Sequence, residues 1–201
     1  MGVLYKGNSF KSPPNFSNQP LVQEPPKVYI ILVNYNTWQD TLECLESILK
    51  NDYPNYQIIV VDNASQNESS QKIKEWAAGK QEVPIPENQE LAALSQPPFP
   101  KPILFSVPNH DTVRFDVSKP MEPIVFLQLK KNFGFAGGNN AGLGYAFMKN
   151  DFKYAWLLNN DTVIAQDSLT KLVRKMELAE AHDMNCVIMG TKLYYYEPQE
   201  I

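Results

Sequence analysis

Basic charge is in short supply in this 201-residue sequence: 18 Lys and Arg stand against 22 Asp and Glu, for a net charge of -4. Proteins that grip a nucleic-acid backbone usually carry a basic face, so the balance argues against such a partner. The few phosphates of a single nucleotide are a different matter, because one lysine or a metal ion neutralises them locally. Cysteine is nearly absent. Cys44 and Cys186 both lie in apolar contexts, and they read as buried free thiols rather than a disulfide framework or metal site. Histidine is limited to His110, in a Pro-rich stretch, and His182, near a helix end; both read as surface residues. Long apolar runs are missing too. The longest are strand-sized, well short of the roughly 20 residues a membrane helix needs, and the N-terminus has no apolar core of a signal peptide. A cytoplasmic protein is expected, or one peripheral at the inner face of the membrane. The Asn-x-Ser/Thr sequons at Asn15, Asn63, Asn67 and Asn160 are then chance occurrences.

What the sequence does have is alternation. Residues 1–27 hold five of the 16 prolines and no periodicity, which predicts a flexible leader. At Val28 the character changes: "VYIILV" is a β-branched run of the kind buried on both faces of a sheet. Thr37 and Asp40 then form a plausible N-cap pair for a helix whose apolar face is Trp38, Leu42, Leu45, Ile48 and Leu49. "QIIVVD" reads as a second buried strand and "SSQKIKEWAA" as a weaker helix. From about 80 to 123 the pattern dissolves into a Pro-rich insertion, with a short hairpin around "ILFSV" and "VRFDV". "PIVFLQL" and "YAWLL" are further strands, separated by a turn and helix in "GGNNAGLGYAFMK". A helix capped by Asp167 or Ser168 and a strand "CVIMG" close the series. Strands alternating with helices imply an α/β fold, a mostly parallel sheet with helices on both faces. The expected domain is 28–195, followed by a tail over 196–201.

Sheets of this kind bind ligands at the carboxyl ends of their strands, and four successive strands here end in polar groups. The first ends in Asn34-Tyr35-Asn36, the second in Asp62-Asn63, the third in Lys130-Lys131-Asn132, the fourth in Asn159-Asn160-Asp161. Asn and Asp are common in turns and caps, so each cluster alone has a structural reading. Four at one edge point to a polar ligand. "GFAGGNNAGLG" lacks the spacing of a dinucleotide fingerprint or a P-loop; it is either a tight helix–sheet contact or a close approach of backbone to an anion at a helix N-terminus. Asn159 to Asp161 is either a turn or a site for Mg²⁺ or Mn²⁺. Hard cations prefer carboxylate and carbonyl oxygens completed by substrate phosphates, so metal and nucleotide are expected to bind together.

Three stretches, "VYIILVNYNTWQDTLECLESILKNDYPNYQIIVVDNAS", "NFGFAGGNNAGLGYA" and "WLLNNDTV", resemble family 2 of the glycosyltransferases, especially its rhamnosyltransferase-like branch. The resemblance spans residues 28 to about 190. It implies a GT-A fold, here incomplete at the C-terminus, and a nucleotide-diphosphate sugar as donor. It implies that Asn34, Tyr35 and Asn36 line base and ribose, and that Asp62, with Asn63 beside it, accepts hydrogen bonds from the base. Lys131, Asn132, Gly137 and Gly138 would sit beside the phosphates or sugar. Asn159-Asn160-Asp161 takes the place of the family's DXD motif, with Asp161 as principal metal contact, Asn159 as a second and Asn160 beside the nucleotide. The family transfers sugar with inversion, by direct attack of an acceptor hydroxyl. That chemistry needs a cation at the leaving phosphates and a carboxylate base; no residue here, Glu197 and Glu200 included, is assigned as that base. Two readings stay open: the donor-binding part of a transferase acting on a saccharide or lipid-linked acceptor, or a non-catalytic nucleotide-sugar-binding module. A nucleotidyltransferase ranks below both, because "NYNTWQD" lacks a Gly-rich basic loop. The aromatic run Tyr194 to Tyr196 would either stack on an acceptor or promote self-association.

Overall fold

β-Branched and aromatic residues in short, almost continuously buried runs set the sheet. The computed structural model describes residues 3–6 (as backbone), 24–86, 88–107, 123–182, 184 and 186–191. In chain order the elements are β1 (Val3–Lys6), β2 (Val28–Asn34), α1 (Trp38–Leu49), β3 (Tyr56–Asp62), α2 (Ser69–Ala77) and α3 (Gln89–Ser95). They continue with β4 (Phe105–Ser106), β5 (Ile124–Gln128), α4 (Gly134–Lys149), β6 (Tyr154–Leu157), α5 (Ser168–Ala181) and β7 (Ile188–Gly190). The strands form one sheet in the order β4-β5-β3-β2-β6-β1-β7. The five from β4 to β6 are parallel. β1 runs antiparallel to both its neighbours. The expected α/β architecture with a mostly parallel sheet is therefore present.

Alternation along the central strands splits the core in two. Ile30, Leu32, Ile58, Val60, Phe126 and Trp156 face one layer, against Leu42, Leu45 and Ile48 of α1, Trp76 of α2 and Leu172 and Met176 of α5. Tyr29, Ile31, Val33, Ile59, Val61 and Val125 face the other, against Tyr145 and Ala146 of α4. Both faces of β2 and β3 are buried, which is why their sequences are nearly continuous apolar runs.

Two expectations meet different structure. The leader holds a strand at Val3–Lys6, because Tyr154–Leu157 offers it an antiparallel partner; a four-residue strand far in sequence from its partner leaves little local trace. The Pro-rich segment begins with α3, whose N-cap Asn88 accepts hydrogen bonds from Glu90 N and Leu91 N. Phe105–Ser106 then pairs parallel with Ile124–Val125; "VRFDV", the second arm of the expected hairpin, lies outside the described residues. The segment is anchored by Glu46 on α1, which is fully buried. Its carboxylate accepts from Trp76 Nε1 at 2.7 Å, Phe99 N at 2.5 Å and Lys101 Nζ at 2.5 Å. His110, Tyr194 to Tyr196, Glu197 and Glu200 also lie outside the described residues. Among the described residues no helix is long and apolar enough to cross a membrane.

Candidate functional site

Parallel pairing of β2 with β3 and β6, and of β3 with β5, brings the polar strand ends to one edge. There they bond first to one another. Asn34 Nδ2 donates to Asp62 Oδ1 at 2.8 Å and to Ser65 Oγ at 3.0 Å. Ser65 Oγ donates to the same Asp62 oxygen at 2.5 Å, while Asp62 Oδ2 receives only a long contact from Ser65 N at 3.4 Å. Asn34 and Asp62 have no exposed surface. The pairing follows from burial: a carboxylate and an amide at the ends of adjacent buried strands must satisfy each other.

Asn36 and Asn63 fasten the loops. Asn36 is in the left-handed region, with φ of 61°, where Asn is among the residues best tolerated. Its Oδ1 accepts from Gln66 N at 2.7 Å, tying the β2–α1 loop to the β3–α2 loop. Ala64, at φ of 59°, shares that backbone region, which a Cβ disfavours. Asn63 Nδ2 donates to Asn132 Oδ1 at 2.9 Å, and Asn63 Oδ1 accepts from Phe133 N at 3.0 Å. The β5–α4 turn is held by those bonds. Tyr35 is 40% exposed and Phe133 53% exposed, with Lys131 Nζ 4.8 Å above the Phe133 ring.

The glycines of α4 divide between the two readings. A Cβ on Gly138 would stand 2.6 Å from Val33 Cγ1, and one on Gly142 would stand 2.5 Å from Ile31 Cγ2. Both sites let α4 lie close on the sheet. A Cβ on Gly137 would collide with Phe133 of the preceding turn. These contacts are between helix and protein, so the structural reading accounts for Gly138 directly.

Helix α1 positions the fourth strand end. Thr37, Thr41 and Cys44 recur at helical spacing on one side. Asn160 Nδ2 donates to Thr37 Oγ1 at 2.7 Å and to Thr41 Oγ1 at 2.9 Å. Cys44 Sγ donates to Asn159 O at 3.7 Å, and burial pushes the Cys44 thiol well up from its usual pKa. Ile164 N donates to Ser47 Oγ at 3.1 Å. Thr37 therefore holds this turn instead of capping its helix with its side chain. The three motif residues take separate roles. Asn159 Oδ1 is buried without a hydrogen-bond partner, Asn160 holds the turn, and Asp161 is exposed.

Asp40 is the residue that sequence reasoning missed. It projects from the first turn of α1, and its pKa is raised, first by desolvation and second by the negative charge of Asp161. The capping pattern absorbed it in the sequence; a three-residue offset from Thr37 onto the same helix end as the Asn-Asn-Asp turn was the available signal. Among the described residues there is no group of three or more His, Cys, Asp or Glu that could hold a metal by itself. The candidate donors at this edge are oxygens: the exposed Asp161 carboxylate and the Asp40 carboxylate on the first turn of α1. That set suits a hard cation whose remaining positions are filled by phosphate oxygens and water.

The edge so described gathers the polar strand ends of a mostly parallel α/β sheet. A model of the glycosyltransferases, "Glycosyl transferase family 2", matches residues 29–93, less than half of the chain. The match supports family 2 for the segment carrying β2, α1, β3 and α2, and the sheet agrees with the GT-A class expected from the sequence. No curated protein matches the sequence. Among solved structures, S. aureus TarS 1-349 is similar at 18% identity over 77% of this chain and 33% of that one, with a TM-score of 0.48; it is also known in complex with UDP. The mannosyltransferase PcManGT from Pyrobaculum calidifontis, in complex with GDP-Man and Mn²⁺, is similar at 19% identity over 82% of this chain and 35% of that one, with a TM-score of 0.47. The chain spans about a third of the length of either.

Proposed function

We propose that this chain is the donor-binding part of an inverting, metal-dependent glycosyltransferase that takes a nucleotide-diphosphate sugar. The observation that carries the proposal is the Asn159-Asn160-Asp161 turn at the strand edge, pinned to α1 by Asn160 Nδ2 on Thr37 Oγ1 and Thr41 Oγ1, with Asp161 exposed and Asn159 Oδ1 buried without a hydrogen-bond partner. Helix α1, to which that turn is bonded, lies in the segment that matches family 2. Asp40, whose pKa is raised first by desolvation and second by the charge of Asp161, is a second carboxylate on which a divalent ion bridging to a diphosphate would draw. Asp161 and Asp40 would hold the ion, with Asn160 fixing the turn. When bound, the ion supplies positive charge to a departing nucleoside diphosphate.

The chain's own residues do the rest of the binding. At the nucleoside end a base N–H would replace the Ser65 hydroxyl on Asp62 Oδ1, with the less used Oδ2 beside it. Tyr35 offers an exposed ring for stacking, while Lys131 and Asn132 border the phosphates at the start of α4, where the helix dipole also favours negative charge. The acceptor is a saccharide or lipid-linked glycan whose hydroxyl attacks the anomeric carbon.

Calorimetric titration with UDP, GDP and dTDP, each with and without Mn²⁺, tests the proposal. One nucleotide should bind more tightly with Mn²⁺, and Asp161→Asn should abolish that gain while leaving metal-free binding in place. Failure of all three to bind would overturn it, leaving the strand-end residues as fold-forming turns.

A further inference from the structure

A single buried hydroxyl touches both ends of the site. Thr41, one turn along α1 from Thr37, has no exposed surface. Its Oγ1 accepts from Asn160 Nδ2 at 2.9 Å and donates to Asn34 Oδ1 at 2.9 Å. Asn34 continues through Nδ2 to Asp62 Oδ1 at 2.8 Å. Asn160, Thr41, Asn34 and Asp62 thus form an unbroken chain of hydrogen bonds from the acidic turn to the nucleoside end. The hydroxyl has one proton. Donated to Asn34, it leaves the lone pairs toward Asn160; the competing acceptor, Thr37 O at 3.1 Å, is the longer contact.

We infer that Thr41 is a positioning residue that anchors both halves of the donor site at once. The inference rests on the reading given under Proposed function. Donation to Asn34 Oδ1 fixes which way the Asn34 amide faces, and so keeps Nδ2 on Asp62. Acceptance from Asn160 keeps the turn that carries Asp161 against α1. Thr37 shares the second task through its own bond to Asn160 at 2.7 Å, but it makes no bond to Asn34. No other side chain among the described residues is hydrogen-bonded to both Asn34 and Asn160. Serine could do the same work and valine, of nearly the same shape, could not.

The test uses two probes on the full chain. The nucleoside whose diphosphate binds best reports the Asp62 end, and the tightening of that diphosphate by Mn²⁺ reports the Asp161 end. Thr41→Val should weaken nucleoside binding and also shrink the Mn²⁺-dependent gain, each by about three- to ten-fold, the scale of one lost hydrogen bond. Thr41→Ser should restore both. Asp161→Asn should lose only the metal gain. These measurements are made at a temperature where circular dichroism shows each variant folded, so a loss of stability does not imitate a loss of binding. If Thr41→Val matches the wild type at either end, or Thr41→Ser fails to restore both, the inference falls and the donor-site reading stands. If the wild type itself binds neither probe, the donor-site reading falls first. Should the valine variant not fold, Thr41→Ser decides: it must equal the wild type at both ends.

Discussion

Replacing Glu46 by alanine should show that the Pro-rich segment after α2 is part of the domain. The side chain has no exposed surface and its ion-pair partner Lys101 is 14% exposed, so solvent offers little compensation. Glu46→Ala strands three donors: the Lys101 ammonium, the Trp76 indole N–H and the Phe99 amide. Breaking a buried ion pair by removing one partner costs about 3–5 kcal/mol. That is a large share of the 5–15 kcal/mol typical of a whole domain. With a urea dependence of roughly 2 kcal/mol/M, the unfolding midpoint should fall by about 1.5–2.5 M. Lys101→Met should cost a comparable amount, about 3–5 kcal/mol, because it leaves the fully buried carboxylate with only two neutral N–H donors. Intrinsic fluorescence during urea unfolding reads the midpoint, and Trp76 lies beside the change. Limited proteolysis between Gln96 and Val107 should become faster in the alanine variant. A midpoint shift under about 0.5 M, with unchanged proteolysis, would refute the reasoning and make the segment a loosely attached loop.

Other perturbations test the acid pair and the helix contact. Asp40 has a raised pKa in the folded state, so its stabilising contribution is present at low pH and lost as pH rises through that value. Asp40→Asn should therefore raise the melting temperature at pH 7 by about 1–2 °C, from a few tenths of a kcal/mol of relieved repulsion, with no gain at pH 3. Differential scanning fluorimetry at both pH values checks it, and the Mn²⁺-dependent gain in nucleotide binding should shrink in the same variant. Gly138→Ala should cost about 1–2 kcal/mol, because overpacking against Val33 exceeds the gain in helix propensity. Gly144→Ala, whose Cβ meets nothing within 4 Å, should instead stabilise by about 0.5–1 kcal/mol; equal effects at both positions in chemical denaturation would contradict the packing argument.

The central strands were legible because burial on both faces forces near-continuous apolar runs, and α1 because Trp38, Leu42, Leu45 and Leu49 recur at helical spacing. The strand ends were legible as a location. How their side chains are spent was not, because Asn34 and Asp62 meet across two strands 28 residues apart in sequence. Nothing local in either strand announces the bond. The same holds for Glu46, which reads as one more acid on an amphipathic helix until Trp76, Phe99 and Lys101 are brought to it. Asp40 was visible only as a capping residue, since its neighbour Asp161 arrives from the far end of β6.

The place of β1 in the sheet sets a timetable for synthesis. Val3 pairs with Leu157 and with Gly190, so β1 leaves a ribosome long before either strand it pairs with. At 5–20 residues per second, roughly 150 residues of further synthesis take on the order of 10–30 s. The parallel pairs β2–β3 and β3–β5 can close within that interval. The edge of β6 then receives a strand that has been waiting unpaired, and β7 docks on that strand in turn. A chaperone or a second nascent chain that captured residues 3–6 would leave β2 to β5 in place and block only the docking of β1 and β7.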